Sequence, residues 1–219
     1  SDAGGNVYVG GATRSTNFVT TPGALQTTNA GGISDGFITK LSPTGGLLWS
    51  TYYGTAGAGV VGLDDVFAVM VDKAGDLIVG GRAGGPTVFA TPGCYQPVGG
   101  RDAFLAKFSP AGVRIWGTYL GGNWFNMPDY VTGLANGPNN EIIAVGDAYS
   151  RNFPVTSCAY QTAFGVQEIQ FISTFATDGS LLCSGLMGKS SSSNHDETVN
   201  FGKSAAAYKG YLYMTGTSY

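Results

Sequence analysis

One set of short motifs returns along the chain at nearly constant spacing, and this repetition limits the possible folds more than any single residue does. The segment Gly5-Asn6-Val7-Tyr8-Val9-Gly10-Gly11 recurs as Gly75-Asp76-Leu77-Ile78-Val79-Gly80-Gly81. It recurs again as Asn140-Glu141-Ile142-Ile143-Ala144-Val145-Gly146 and as Gly210-Tyr211-Leu212-Tyr213-Met214-Thr215-Gly216. A second block, Asp35-Gly36-Phe37-Ile38-Thr39-Lys40-Leu41-Ser42-Pro43-Thr44-Gly45, returns 67 residues later from Asp102 to Gly112, and more loosely from Ile169 to Gly179. A third, Trp49-Ser50-Thr51-Tyr52-Tyr53-Gly54, returns as Trp116-Gly117-Thr118-Tyr119-Leu120-Gly121 and as Cys183-Ser184-Gly185-Leu186-Met187-Gly188.

Within each period the apolar residues alternate, or form short β-branched and aromatic runs bounded by Gly, Pro, Asn or Asp, which is a strand signature. The best-preserved repeat predicts strands over 66–71, 76–79, 103–108 and 113–119. Turns at Asp72-Lys73-Ala74-Gly75 and Ser109-Pro110-Ala111-Gly112 make hairpins of the first and last pairs. The second strand reaches the third through about twenty residues, 82–101, and the fourth reaches the next repeat through 121–128, so the long loops are expected on one face. Four antiparallel strands per period of about 67 residues describe a blade, and the expected fold is an all-β β-propeller. A β-solenoid is the rival architecture, but its rungs are shorter and lack paired hairpin turns. Glycine, 36 of 219 residues, reads as architecture, with Gly10-Gly11 and Gly80-Gly81 expected where strands leave the sheet.

The recurring Thr21-Pro22-Gly23-Ala24-Leu25-Gln26 and Thr91-Pro92-Gly93-Cys94-Tyr95-Gln96, with the Asp-x-Phe-x-x-Lys and Trp-x-Thr-Tyr blocks, resemble the β-propeller repeat family called SBBP. The resemblance spans essentially the whole chain. It implies a propeller of a secreted or cell-surface bacterial protein, of the kind common in Bacteroidota, with structural motifs and no general catalytic residues. The third repeat departs most: Thr156-Ser157-Cys158-Ala159-Tyr160-Gln161 replaces the Thr-Pro-Gly block, and Cys183 replaces the tryptophan. The repeats divide the chain into 1–62 (strands 2 to 4 of a blade), 63–127 and 128–196 (full blades) and 197–219 (strands 1 and 2). That is about three blades, fewer than a closed ring of four to eight. With neither an initiator Met nor a signal-peptide pattern, the chain is expected to be part of a longer polypeptide, or to complete its ring with another chain.

A net charge of −3 and only 11% charged residues leave no basic surface for phosphate, so nucleic acid is not an expected partner. The longest charge-free stretch, 41–63, is broken by Pro43 and six glycines and does not read as a membrane span. His195, the only histidine, shares one polar loop with Ser190, Ser191, Ser192, Ser193 and Asp196, whereas a catalytic triad converges from separate elements. No enzymatic activity is expected.

Cys94 and Cys158 fall in comparable loops of neighbouring blades, Cys158 and Cys183 in one repeat, and either pair is a candidate disulfide; Cys183, at a tryptophan position, reads most simply as a buried thiol. Carboxylates recur before the first strand of each repeat at Asp64, Asp65 and Asp129. These are candidate ligands for a cation such as Ca²⁺ around one mouth of the propeller channel, against the simpler reading that each caps a turn. Trp124, Phe125 and Asn126 have no counterpart in the other connectors, so they are candidate ligand-binding residues that the repeat itself does not demand. The expected function is a non-enzymatic binding or adhesion scaffold, secreted or at the cell surface, that takes a protein or glycan on its long-loop face. The alternatives are a carbohydrate-active enzyme with catalytic residues in further blades, and a structural subunit of a surface filament.

Overall fold

The computed structural model describes residues 1–56, 62–86, 89–122, 127–164, 169–188, 199–208 and 211–218. They are all-β, with no helix among them. The first sheet holds β1 (Val7–Thr13), β2 (Asp35–Leu41) and β3 (Leu47–Tyr53). The second holds β4 (Asp65–Val71), β5 (Leu77–Arg82), β6 (Ala103–Phe108) and β7 (Arg114–Leu120). The third holds β8 (Tyr130–Asn136), β9 (Ile142–Ala148), β10 (Ile169–Phe175) and β11 (Leu181–Met187), and β12 (Val199–Tyr208) pairs with β13 (Tyr211–Ser218). Every sheet is an antiparallel meander in chain order.

The hairpin turns form where expected: Gly45, Gly112 and Gly179 take φ of 84°, 84° and 88°. Asn140, standing where the other repeats have Gly5 and Gly75, takes φ of 70°, which asparagine tolerates better than most side chains. The register aligns Asp65 with Arg82, Arg82 with Ala103 and Ala103 with Leu120. The ends from which loops 83–102 and 121–129 spring are therefore at one end of the sheet.

The sheets stack face to face in chain order, and the second is buried on both sides, so all six residues of β6 are buried. Alternation sorts them: Phe104, Ala106 and Phe108 pack toward Tyr8, Ile38 and Tyr53 of the first sheet, while Leu105 packs toward Val131, Ile142 and Phe171 of the third. A fully buried side chain of this size contributes about 1.5–3 kcal/mol. The first strands run beside one another, β4 against β8 and β8 against β12.

Gly11 and Gly81 lie within strands rather than at strand exits. Added Cβ atoms would stand 2.8 and 3.1 Å from the rings of Phe37 and Phe104. Each of those rings is met from its other side by a loop phenylalanine: Phe18 lies 4.7 Å from Phe37 and Phe89 4.2 Å from Phe104, as Phe153 lies 4.5 Å from Phe171. The long connector then turns back along the outermost strand. Thr21, Thr91 and Thr156 donate to the carbonyls of Ser50, Gly117 and Ser184, and the carbonyls of Gln26, Gln96 and Gln161 accept from Tyr52, Tyr119 and Leu186. The Thr-Pro-Gly-x-x-Gln block thus covers an edge that would otherwise be a template for pairing.

The tryptophans hold the joints between sheets. Trp49 Nε1 donates to the Pro110 carbonyl at 3.0 Å and Trp116 Nε1 to Thr177 at 2.9 Å, each ring lying over the turn glycine of the next sheet, Gly112 or Gly179. Trp116, Tyr52 and Tyr119 are buried, and Trp49 is half-buried. Cys183, at the third tryptophan position, is not a free thiol but is bonded to Cys158, which ties the edge-covering segment to β11; Cys94 is free.

Candidate functional site

The first strands of the two complete sheets carry a β-bulge at the same place, the register skipping between Val66 and Ala68 in β4 and between Val131 and Gly133 in β8. A bulge re-aims the side chain it leaves unpaired. In β4 that residue is Phe67, 49% exposed despite its size. Its ring meets Tyr130 edge-on at 6.0 Å, and the Arg82 guanidinium lies 5.8 Å from the Phe67 ring and 5.4 Å from that of Tyr130. Arg82 forms an ion pair with Asp65, which faces it across the β4–β5 ladder. Tyr149 closes the group 5.6 Å from Tyr130, and Asp147, opposite Tyr130 in register, accepts from Gln170.

These side chains break the repeat. Asp65 corresponds to Tyr130, Phe67 to Thr132, Arg82 to Asp147 and Ala103 to Gln170, at spacings of 65 or 67 residues. The backbone positions are equivalent while the chemistry changes from one sheet to the next. Burial pushes the Tyr130 hydroxyl up, with Arg82 pulling the other way, so it is neutral at neutral pH. The group offers an exposed aromatic face beside a charge-balanced Arg–Asp pair and phenolic hydroxyls. That chemistry suits stacking and directional hydrogen bonding.

The three acidic candidates do not converge as one site. Asp65 belongs to the arginine pair. Asp64 accepts from the backbone N–H groups of Thr55 and Gly84, at 2.8 and 2.6 Å, and from the Thr55 hydroxyl. Asp129, one repeat on, accepts from the N–H groups of Gly122, Tyr149 and Ser150 at 2.7–3.0 Å. Each therefore organises the loops of its own junction. Each also sits beside a second buried acid from the start of the third strand, Asp35 next to Asp64 and Asp102 next to Asp129. Burial pushes Asp64 and Asp102 up to about 6 and moves Asp35 and Asp129 in the same direction. Among the described residues no three His, Cys, Asp or Glu side chains come together.

Trp124, Phe125, Asn126 and His195 lie outside the described residues. The cluster around Phe67, Arg82 and Tyr130 went unread in the sequence although its signal was present. The comparison that singled out the 124–126 connector, residues that fail to repeat, applies equally inside the strands. The acid partners Asp35 and Asp102 were visible too, as the first residue of the Asp-x-Phe block.

No protein-family model matches the chain, and no curated protein matches it.

Proposed function

We propose that this chain is a set of blades from an SBBP-type β-propeller, serving as a secreted or cell-surface binding scaffold without catalytic activity. The observation that carries the reading is the Phe67–Arg82–Tyr130 group: non-repeating side chains on equivalent positions of adjacent first and second strands, at the end from which the long loops spring. Packing explains what recurs; recognition accounts for what varies on a rigid support. The face-to-face stacking of meander sheets and the adjacency of β4, β8 and β12 support the propeller reading. The ligand is a glycan or a protein loop that lays an apolar face on Phe67 and hydrogen-bonds the Arg82–Asp65 pair.

The second reading, a carbohydrate-active enzyme, draws on Tyr130 standing beside Arg82, a pairing suited to proton abstraction from a sugar acid. Two features weigh against it. Burial moves the Tyr130 hydroxyl away from the neutral range a base requires, and Arg82 is committed to Asp65.

The test is binding to arrays of neutral and acidic oligosaccharides and of extracellular-matrix proteins, with Phe67→Ala and Arg82→Ala beside the unaltered chain. Both variants are expected to lose binding about tenfold or more, as hot-spot residues do, with unchanged circular dichroism. Capture unaffected by either substitution, or release of sugar products from any arrayed glycan, overturns the reading.

A further inference from the structure

Two junctions between successive sheets repeat one arrangement of acids. At the first, Asp35 and Asp64 are both fully buried; at the second, Asp102 is 5% exposed and Asp129 fully buried. Each junction has a glycine at the end of an outermost strand, Gly54 or Gly121. The point where a Cβ on Gly121 would stand is 2.6 Å from Asp129 Oδ2 and 2.8 Å from Asp102 Oδ1, so both oxygens face the same small space. At Gly54 the corresponding point is 2.5 Å from Asp35 Oδ1. That oxygen is buried and has no hydrogen-bond partner among the described residues.

Elsewhere the protein neutralises its buried acids. Asp72 holds Lys107, and Asp65 holds Arg82. None of Asp35, Asp64, Asp102 and Asp129 is paired with a lysine or arginine among the described residues. Buried carboxylates without a counter-charge are costly, and proteins pair them, protonate them or coordinate a metal with them. The loop hydrogen bonds to Asp64 and Asp129 offset part of that cost. Asp35 is met on Oδ2 by the N–H of Ala30, with that of Gly31 beside it, and Asp102 by the N–H of Gly100.

The fold does not require acids at this place. Ile169 occupies the equivalent position in the third repeat, packed against Gly188, whose added Cβ would stand 3.0 Å from Ile169 Cγ1. An apolar side chain fills the space there, whereas acids stand at the first two junctions: Asp35 at Gly54, and Asp102 with Asp129 at Gly121.

We propose that each of these two junctions binds one hard divalent cation of the calcium type, between Asp35 and Asp64 and between Asp102 and Asp129. Two carboxylates balance one divalent charge, and their oxygens match the hard-donor preference of calcium. Calcium suits positions fixed by loop backbone better than magnesium, which demands regular octahedral geometry and gives up water reluctantly. Bound there, the ion joins the outermost-strand end of one sheet to the entry of the next, so it fastens one sheet to its neighbour.

The test is calorimetric titration of calcium chloride into the full chain after chelator treatment. The expected result is binding that loses one equivalent in Asp35→Ile, one in Asp102→Ile and both in the double variant. Isoleucine is chosen because the third junction already accommodates it; Asp35→Asn and Asp102→Asn, which keep the shape, are expected to weaken binding at the same two sites. In thermal unfolding, free calcium a hundredfold above Kd should raise the folded-to-unfolded ratio about a hundredfold per site. That response is absent in the double variant. A chain that binds no calcium overturns the proposal, as does a stoichiometry unaltered by the isoleucine variants. Stability that follows pH, is indifferent to calcium and loses its pH response in Asp35→Asn would assign a shared proton to the pair instead.

Discussion

Trp116 shows how a single side chain can serve two sheets. Its indole is 7% exposed, lies over Gly179 and donates to Thr177 at 2.9 Å, so it closes the joint between the second and third sheets from the outer strand. Removing the ring takes away packing that the neighbouring turn cannot refill, because that turn is held by its own hydrogen bonds between Ala176 and Gly179 and between Ala176 and Ser180. Trp116→Ala is expected to cost about 3–5 kcal/mol in urea unfolding, as large core deletions do. Trp116→Phe keeps most of the ring and loses the bond to Thr177, at about 1 kcal/mol plus part of the packing. Equal costs for the two would mean that the hydrogen bond, not the ring, holds the joint. Repetition revealed that this tryptophan is structural. It did not reveal that its partner is a turn in the following repeat, since the spacing of a motif gives its own recurrence and not what it touches. Cys183 was legible only in part: the pairing with Cys158, 25 residues away, stood among the two candidate disulfides, but the repeat, which compares Cys183 with a tryptophan, favours a buried thiol and does not choose between the pairs.

At the scale of the element, the hairpin between first and second strands is closed by an acid and held by a lysine from the third. Asp72 Oδ1 accepts from the N–H groups of Ala74 and Asp76, and its Oδ2 holds Lys107 Nζ at 2.8 Å, with Asp76 adding a contact at 3.1 Å. In the first repeat Lys40 does the same with Asp2, at 3.2 Å, and lies over the Tyr8 ring. The third repeat has Thr174 and Gly137 at these places, so lysine and acid are lost together. Burial alone would lower the Lys107 ammonium; its bonds to Asp72 and Asp76 outweigh burial and raise it. A raised folded value means the stabilisation is fully present below the unfolded value of 10.5 and is lost as pH rises through the folded one. Urea midpoints are therefore expected to hold up to about pH 10 and to fall above it, a fall that Lys107→Met removes while losing about 3–5 kcal/mol at pH 7 by stranding Asp72. The pair Lys107→Thr with Asp72→Gly should cost less than Lys107→Met, because no charge is left buried. A double variant as unstable as the single one would place the effect in packing rather than charge. Strands and turns were legible because alternation and turn glycines act over neighbouring residues. The edge-covering run of the Thr-Pro-Gly block was not: its Thr hydroxyls accept from Ser50, Gly117 and Ser184 and its Gln side-chain carbonyls from Gly54, Gly121 and Gly188, partners some 25 residues on that the spacing of the motif does not reveal.

Across the whole molecule, protection follows from how many faces and edges of each sheet are covered. The second sheet is packed on both faces, and the 91–96 segment covers its outer edge along β7. The first sheet, covered at its outer edge by 21–26, has one strand fewer, so β1 ends the sheet on its inner side, with Val7 43% and Val9 38% exposed. Opening β5 or β6 breaks ladders on both sides and exposes two layers of core at once, whereas β1 can leave β2 by breaking one. Hydrogen exchange is therefore expected to be slowest over 77–82 and 103–108, approaching the global unfolding limit, and faster by orders of magnitude over 7–13. The contrast should persist at every protein concentration if β1 is free. If exchange over 7–13 slows as concentration rises, a second copy is pairing with that edge, and the strand is an assembly surface of the kind an unpaired β-edge provides. If 7–13 is as slow as 103–108 even at high dilution, the inner edge is covered within the chain itself, and the reading of the first sheet as one strand short fails.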